Sequence, residues 1–170
     1  MALSRIEIGD LRVHPVEMFA KGWPLLTAGG LDGFNTMTIS WGQIGSLWGS
    51  RGAPVMAVYV RPQRHTFGFM NAADCFSVSV LPEEFREQLG YLGRVSGRDE
   101  DKVAKAGLTP VFGDGYTYFE QAEMVFVCRK LYQSPILPEG FVDKELMERI
   151  YPGADFHTQY IGEIVEILAK

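Results

Sequence analysis

Asn35-Thr36-Met37-Thr38-Ile39-Ser40-Trp41-Gly42, residues 35–42, is the stretch that decides the fold. Met37, Ile39 and Trp41 alternate with the hydroxyl-bearing Thr36, Thr38 and Ser40. Side chains two apart share a face of a strand and not of a helix, so this period predicts a half-buried β-strand. The strand is expected to run from Asn35 to about Trp48. Turn-rich residues bound it: Gly29, Gly30, Asp32 and Gly33 before it, Gly49, Ser50, Arg51 and Gly52 after it.

Further strands are expected outward from this one. Residues 5–8, 13–18 and 24–28 precede it. PVMAVYV (54–60) is a continuous apolar run and is predicted to be buried on both faces. CFSVSVL (75–81), residues 116–120 and 124–133, and TQYIGEIVEIL (158–168) complete the set. Helices are expected from Thr66 to Ala72, over 82–92 and over 97–107, the last stopped by Gly107. Residues 143–151 read as helix or loop. Strands first, short helices in the middle and strands again predict a mainly β fold, a partly open barrel of about six or seven strands with peripheral helices. A doubly wound parallel sheet needs regular alternation of strand and helix, which this order lacks.

At 170 residues, 46% hydrophobic and 22% charged, the chain is expected to form a single domain over 1–170. A net charge of −5 provides no basic field for a nucleic-acid backbone. The N-terminus MALSRIEIGD has no apolar stretch behind a positive start, and no run reaches the ~18 apolar residues of a membrane span. The expectation is a cytoplasmic protein without nucleic-acid or membrane partners. Cys75 and Cys128 form no CxxC pair and read as buried reduced thiols. Neither GxGxxG, GxxxxGK[ST] nor GxSxG occurs, and His14, His65 and His157 have no metal-site spacing.

Four features could carry chemistry. The hydroxyl row of 35–42, ended by Trp41, is either the solvent face of an edge strand or a polar wall for a planar heterocycle. Arg61-Pro62-Gln63-Arg64-His65-Thr66 leaves a buried strand and enters a helix. It is either a solvated loop or a small-anion site, since arginine forks and helix N-termini both suit phosphate. Antiparallel pairing of the two strands through a short turn would bring Arg61 and Arg64 beside Asn35 to Thr38. Lys102 in SGRDEDK (96–102) is either a surface lysine or a further cation for that anion. His157 is either a structural histidine at a strand start or a proton-transferring group.

In order and spacing, GFNTMTISWG, PVMAVYVRPQRHT, FSVSVL, SGRDEDK and DFHTQYIGEI resemble the flavin reductase-like proteins with an FMN-binding split barrel. The likeness leans towards the flavoredoxin-type branch and runs over roughly residues 10 to 168. It implies a homodimer that binds FMN, or FAD or riboflavin, without a covalent link. It implies Asn35, Thr36, Met37, Thr38 and Trp41 along the flavin ring and ribityl chain. Arg61, Arg64 and Thr66 then match a phosphate motif, Lys102 a further cation, and His157 a catalytic group near the ring. Flavin chemistry requires no triad, metal cluster or carboxylate pair from the protein. Three functions stay open: an NAD(P)H-dependent flavin reductase whose electron acceptor is unknown, an FMN electron carrier, and a non-redox ligand-binding barrel.

Overall fold

The computed structural model describes residues 2–49 and 52–170. The turn expected over 49–52 includes Ser50 and Arg51, which lie outside the described residues. The strands are β1 (Ser4–Ile6), β2 (Leu25–Gly30), β3 (Gly33–Thr38), β4 (Gly42–Leu47), β5 (Ala53–Val60), β6 (Cys75–Val80), β7 (Pro110–Phe112), β8 (Thr117–Phe119), β9 (Met124–Pro135) and β10 (Thr158–Ala169). The α-helices are α1 (Pro15–Ala20), α2 (His65–Ala72), α3 (Arg86–Arg94), α4 (Lys102–Lys105) and α5 (Lys144–Ile150).

One antiparallel sheet runs β3-β2-β6-β9-β10-β5-β4, with β1 added on β10 and β7-β8 as a separate hairpin. Its two edges, β3 and β4, are joined by Ile39, Ser40 and Trp41 alone. Six inter-strand steps in a flat sheet would separate those edges by about 29 Å. Four Cα steps from Thr38 to Gly42 reach at most about 14 Å. The sheet must therefore curl until its edges meet, without hydrogen bonds pairing them: a split barrel. Register shifts in the β9–β10 ladder after Ile161 and after Ile164 add local bend.

Three apolar groupings follow from strand alternation. Leu26, Ala28, Met56, Val58, Val60, Phe76, Val78, Phe126, Cys128 and Tyr160 fill the barrel. Leu25, Val125 and Val127 point outward under Leu89, Leu92 and Phe119 from α3 and β8. Strands β2 and β9 are thus apolar on both faces where they are covered on both. Outside β5, Val55 and Ala57 pack with Ile161 alone among buried residues. Cys75 and Cys128 are free thiols, and burial raises the pKa of both.

Four expectations are corrected. Residues 13–18 form no strand: His14 accepts from the Glu17 N–H at 3.3 Å and Pro15 opens α1. Those are helix-start signals, since proline lacks only an N–H that the first turn leaves free. The 35–48 strand is broken at Ile39–Trp41, because β3 and β4 belong to opposite sheet edges. The 82–92 helix is a 3-10 turn over Glu83–Phe85 followed by α3. Of 97–107 only Lys102–Lys105 is helical, capped by the Asp101 carboxylate on Ala104 N–H at 3.1 Å.

Candidate functional site

The split between β3 and β4 opens the barrel where α2 and the chain after α3 approach it. Two cavities lie along this opening and share Met37 and Arg64 as walls. The first, about 250 Å³, lies between Thr38–Trp41 and Tyr59, Arg61 and His157. The second, about 160 Å³, lies between Asn35, the start of α2, residues 92–96, Arg98 and Lys102. Together they form one elongated groove with an aromatic end and a cationic end.

At the aromatic end, the Trp41 and His157 rings lie 4.6 Å apart at 35°. The Tyr151 hydroxyl is 2.8 Å from His157 Nδ1, which fixes the imidazole ring. Burial first, then the Arg61 guanidinium, push the His157 pKa down to about 4, so the ring is neutral at neutral pH. Arg61 lines this end, but its charge is answered: it ion-pairs Asp155, donates to the Ile150 carbonyl at 3.2 Å and lies 5.1 Å from the Tyr151 ring centre. The bond from Arg61, with one from Gln63, holds the Asp155 carboxyl below its ordinary range. Arg61 and Arg64, read together as one anion motif, are thereby separated in role.

At the cationic end, Asn35 Nδ2 donates to Thr66 Oγ1 at 2.7 Å, tying β3 to the first turn of α2. Thr66 is buried. Arg64, just before α2, makes a single long bond to the Gly93 carbonyl at 3.4 Å. Lys102 is no surface lysine: it is 4% exposed, and Nζ donates to the Leu92 and Val95 carbonyls at 3.2 and 3.0 Å. Burial, reinforced by Arg64, lowers its pKa to about 8. His65, on the same wall, is lowered by burial and then by Arg98 and Lys102. Among the described residues none of Arg64, Arg98 and Lys102 forms an ion pair.

The hydroxyl row is corrected in detail. Thr36 lines neither cavity; it donates to the Leu26 carbonyl at 3.2 Å and accepts from Thr27 Oγ1 at 2.9 Å. Thr38 borders the aromatic end, but its hydroxyl donates to the Leu89 carbonyl at 2.6 Å and holds α3 in place. Asn35 and Met37, on the opposite strand face from Thr36, front the groove.

The family model described as "Flavin reductase like domain" matches residues 16–170. The chain belongs to that family. Among solved structures, the flavoredoxin of Desulfovibrio vulgaris (Miyazaki F) is 23% identical, with 98% of this chain and 77% of that one covered at a TM-score of 0.66. An FMN-binding protein from Thermus thermophilus with bound p-hydroxybenzaldehyde is 22% identical, with 95% and 81% covered at 0.64. The NADH:FAD oxidoreductase of Streptomyces globisporus C-1027 is 18% identical, with 86% and 73% covered at 0.62. A search of curated proteins found no significant match. At these identities the solved structures show a shared split-barrel fold.

Sequence reasoning missed several residues of this groove. Arg98 sits in the same SGRDEDK string as Lys102 and donates to the Gln63 carbonyl at 3.3 Å, so its proximity to the cluster was open to notice. Tyr59 is an outward residue of an apolar strand, and only its place beside Trp41 marks it. Tyr151 lay in a segment with no decided structure, and nothing local points to its bond with His157. No helix among the described residues is long and apolar enough to cross a membrane.

Proposed function

We propose that the chain is an NAD(P)H-dependent flavin reductase that holds FMN non-covalently along the groove, ring at the Trp41–His157 end and phosphate at the Lys102 end. One observation carries this reading: a nearly buried ammonium, Lys102, faces a cavity with Arg64 and Arg98 and has no carboxylate partner. A buried ammonium beside two exposed guanidiniums is unfavourable unless an anion joins them. A phosphate monoester supplies the charge, and arginine forks match its oxygens. The donor set therefore fits FMN better than riboflavin, and FAD also brings phosphate to the same cluster.

A flavin held here would supply the redox-active ring for hydride chemistry with NAD(P)H. The protein's residues do the rest. Asn35 and Thr66 stiffen the floor between the two ends, and Met37 and Trp41 offer apolar surface. Arg64 and Lys102 would hold the phosphate. Neutral His157, oriented by Tyr151, acts as a hydrogen-bonding and packing group and is not a cationic proton donor at neutral pH.

The homodimer belongs to the same proposal. Leu47, Trp48 and Tyr132 are exposed, and strand register places Leu47 and Tyr132 on the outer face with Val55, Ala57 and Ile161. Trp48 and Tyr132 rings lie 6.2 Å apart. An exposed apolar patch of this kind suits a second copy.

Anaerobic titration of the FMN-loaded protein with NADH and with NADPH tests the proposal. Stoichiometric bleaching of the flavin absorbance by one of them is expected. Flavin that both nucleotides leave oxidised would make the chain an electron carrier, and a chain that takes up no flavin would remove the reading altogether.

A further inference from the structure

A third cavity, about 730 Å³, adjoins the aromatic end of the groove and shares Ser40, Trp41 and Tyr59 with it. Its volume lies in the usual range for small-molecule sites, about 300–1,000 Å³. Phe19, Ile136, Phe141 and Leu146 supply the rest of its apolar wall. Among the described residues, no Asp, Glu, Lys or Arg lines it.

The two tyrosine hydroxyls on this wall are already engaged. The Tyr59 hydroxyl donates to Gln43 Oε1 at 3.2 Å and accepts from Gln159 Nε2 at 2.9 Å. The Tyr151 hydroxyl is held at His157. The wall presents mainly ring faces and aliphatic groups, with Ser40 and Gln43 as neutral polar groups, and it offers no cation to a phosphate or carboxylate. A pyridine nucleotide, with its pyrophosphate, is poorly matched to it. The surface suited to a second copy, on the outer face of β4, β5 and β10, meets this site at Gln43 and Tyr59, but this site is concave where that one is a sheet face.

We infer that this cavity binds the electron acceptor, an uncharged planar small molecule of the quinone class, against Trp41 beside the flavin. The binding surface stands on the cavity alone; the role as acceptor rests on the flavin reductase reading. For a quinone the balance is quinone + NAD(P)H + H⁺ giving hydroquinone + NAD(P)⁺, with no other oxidant or reductant.

The test is isothermal titration of the FMN-loaded full chain with 2-methyl-1,4-naphthoquinone as probe. Saturable binding is expected, with the sulfonated analogue 1,4-naphthoquinone-2-sulfonate at least about tenfold weaker, because its charge would be buried without a partner. Leu146→Asp, at a position already 36% exposed, is expected to weaken the quinone at least about tenfold and to leave FMN affinity unchanged. Val142→Asp, at a position 99% exposed and outside the cavity, is the matched control and is expected to change neither. Quinone affinity unaffected by Leu146→Asp, or equal affinity for the sulfonate, overturns the inference. So does a Leu146→Asp chain that sediments as a monomer where the parent is a dimer, since a second copy would then cover the wall. If the parent takes up no FMN, the flavin reading fails; the cavity is then judged by the same quinone titration of the flavin-free chain, where absence of binding overturns it.

Discussion

Replacing Lys102 by methionine separates the cost of the cationic end from its use. Methionine keeps most of the side-chain volume and removes the charge. The displacement of the Lys102 pKa from 10.5 to about 8 corresponds to about 3 kcal/mol against the charged form in the folded, flavin-free protein. Below pH 8 both folded and unfolded chains carry the proton, and the whole penalty is present. Between about pH 8 and 10.5 the unfolded chain keeps a proton that the folded chain has released, so stability rises with pH there. Lys102→Met removes both the penalty and the rise. It also leaves the Leu92 and Val95 carbonyls without their ammonium partner, at about 1 kcal/mol each. The expected net is a gain of about 1 kcal/mol at pH 7 in urea unfolding of the flavin-free variant. Loss of a charge-assisted bond to phosphate should weaken FMN by about 10- to 100-fold while riboflavin is unaffected. Flavin fluorescence quenching at pH 7 and 9.5 reads both ligands, and the parent's preference for FMN over riboflavin should fall at the higher pH. A variant that keeps the parent's FMN-to-riboflavin preference would refute the placement of phosphate at Lys102.

Other outcomes follow from the same geometry. Arg64→Ala should weaken FMN by about tenfold relative to riboflavin, since the guanidinium is assigned to the phosphate; equal losses would remove that role. Trp41→Ala should weaken both flavins alike, and unchanged affinities would place the indole outside the ring site. His157, lowered to about 4, should make the folded chain lose stability as pH falls from about 6.5 towards 4, because the unfolded chain takes up a proton there first. Acid titration of unfolding midpoints checks this against His157→Gln, which should flatten that window. Gly162→Ala puts a methyl 2.7 Å from the Phe76 ring and 2.8 Å from Cys128 Cβ, and overpacking should cost about 1–3 kcal/mol in thermal unfolding.

Much of the fold was legible because its signals are local. Period two over 35–41 marked the site strand, and the apolar runs at 54–60 and 75–81 marked strands with covered faces. The break at Ile39–Trp41 was not legible: it arises from sheet order, where β3 and β4 are neighbours in sequence and opposite edges of one curled sheet. The helix at Pro15 was available from the His14–Pro15 start, but an apolar stretch beside it reads equally as strand. At the site, Arg64 meets Asn35 and Met37 as expected, but not through the expected hairpin: only β4 pairs with β5, and the curl of the sheet brings β3 to the start of α2, where Asn35 bonds Thr66. The role of Arg61 did not, because its partner Asp155 lies far along the chain. Lys102 looked solvated in a string of charges; only the fold of residues 92–102 back over its side chain turns it inward.

Crystallography of the protein soaked with FMN tests the central claim most directly. Electron density should place phosphate oxygens within hydrogen-bond distance of Lys102 Nζ and the Arg64 guanidinium, with the ring against Trp41 and His157. Density that puts the phosphate at Arg61, or the ring away from the β3–β4 split, would contradict the account.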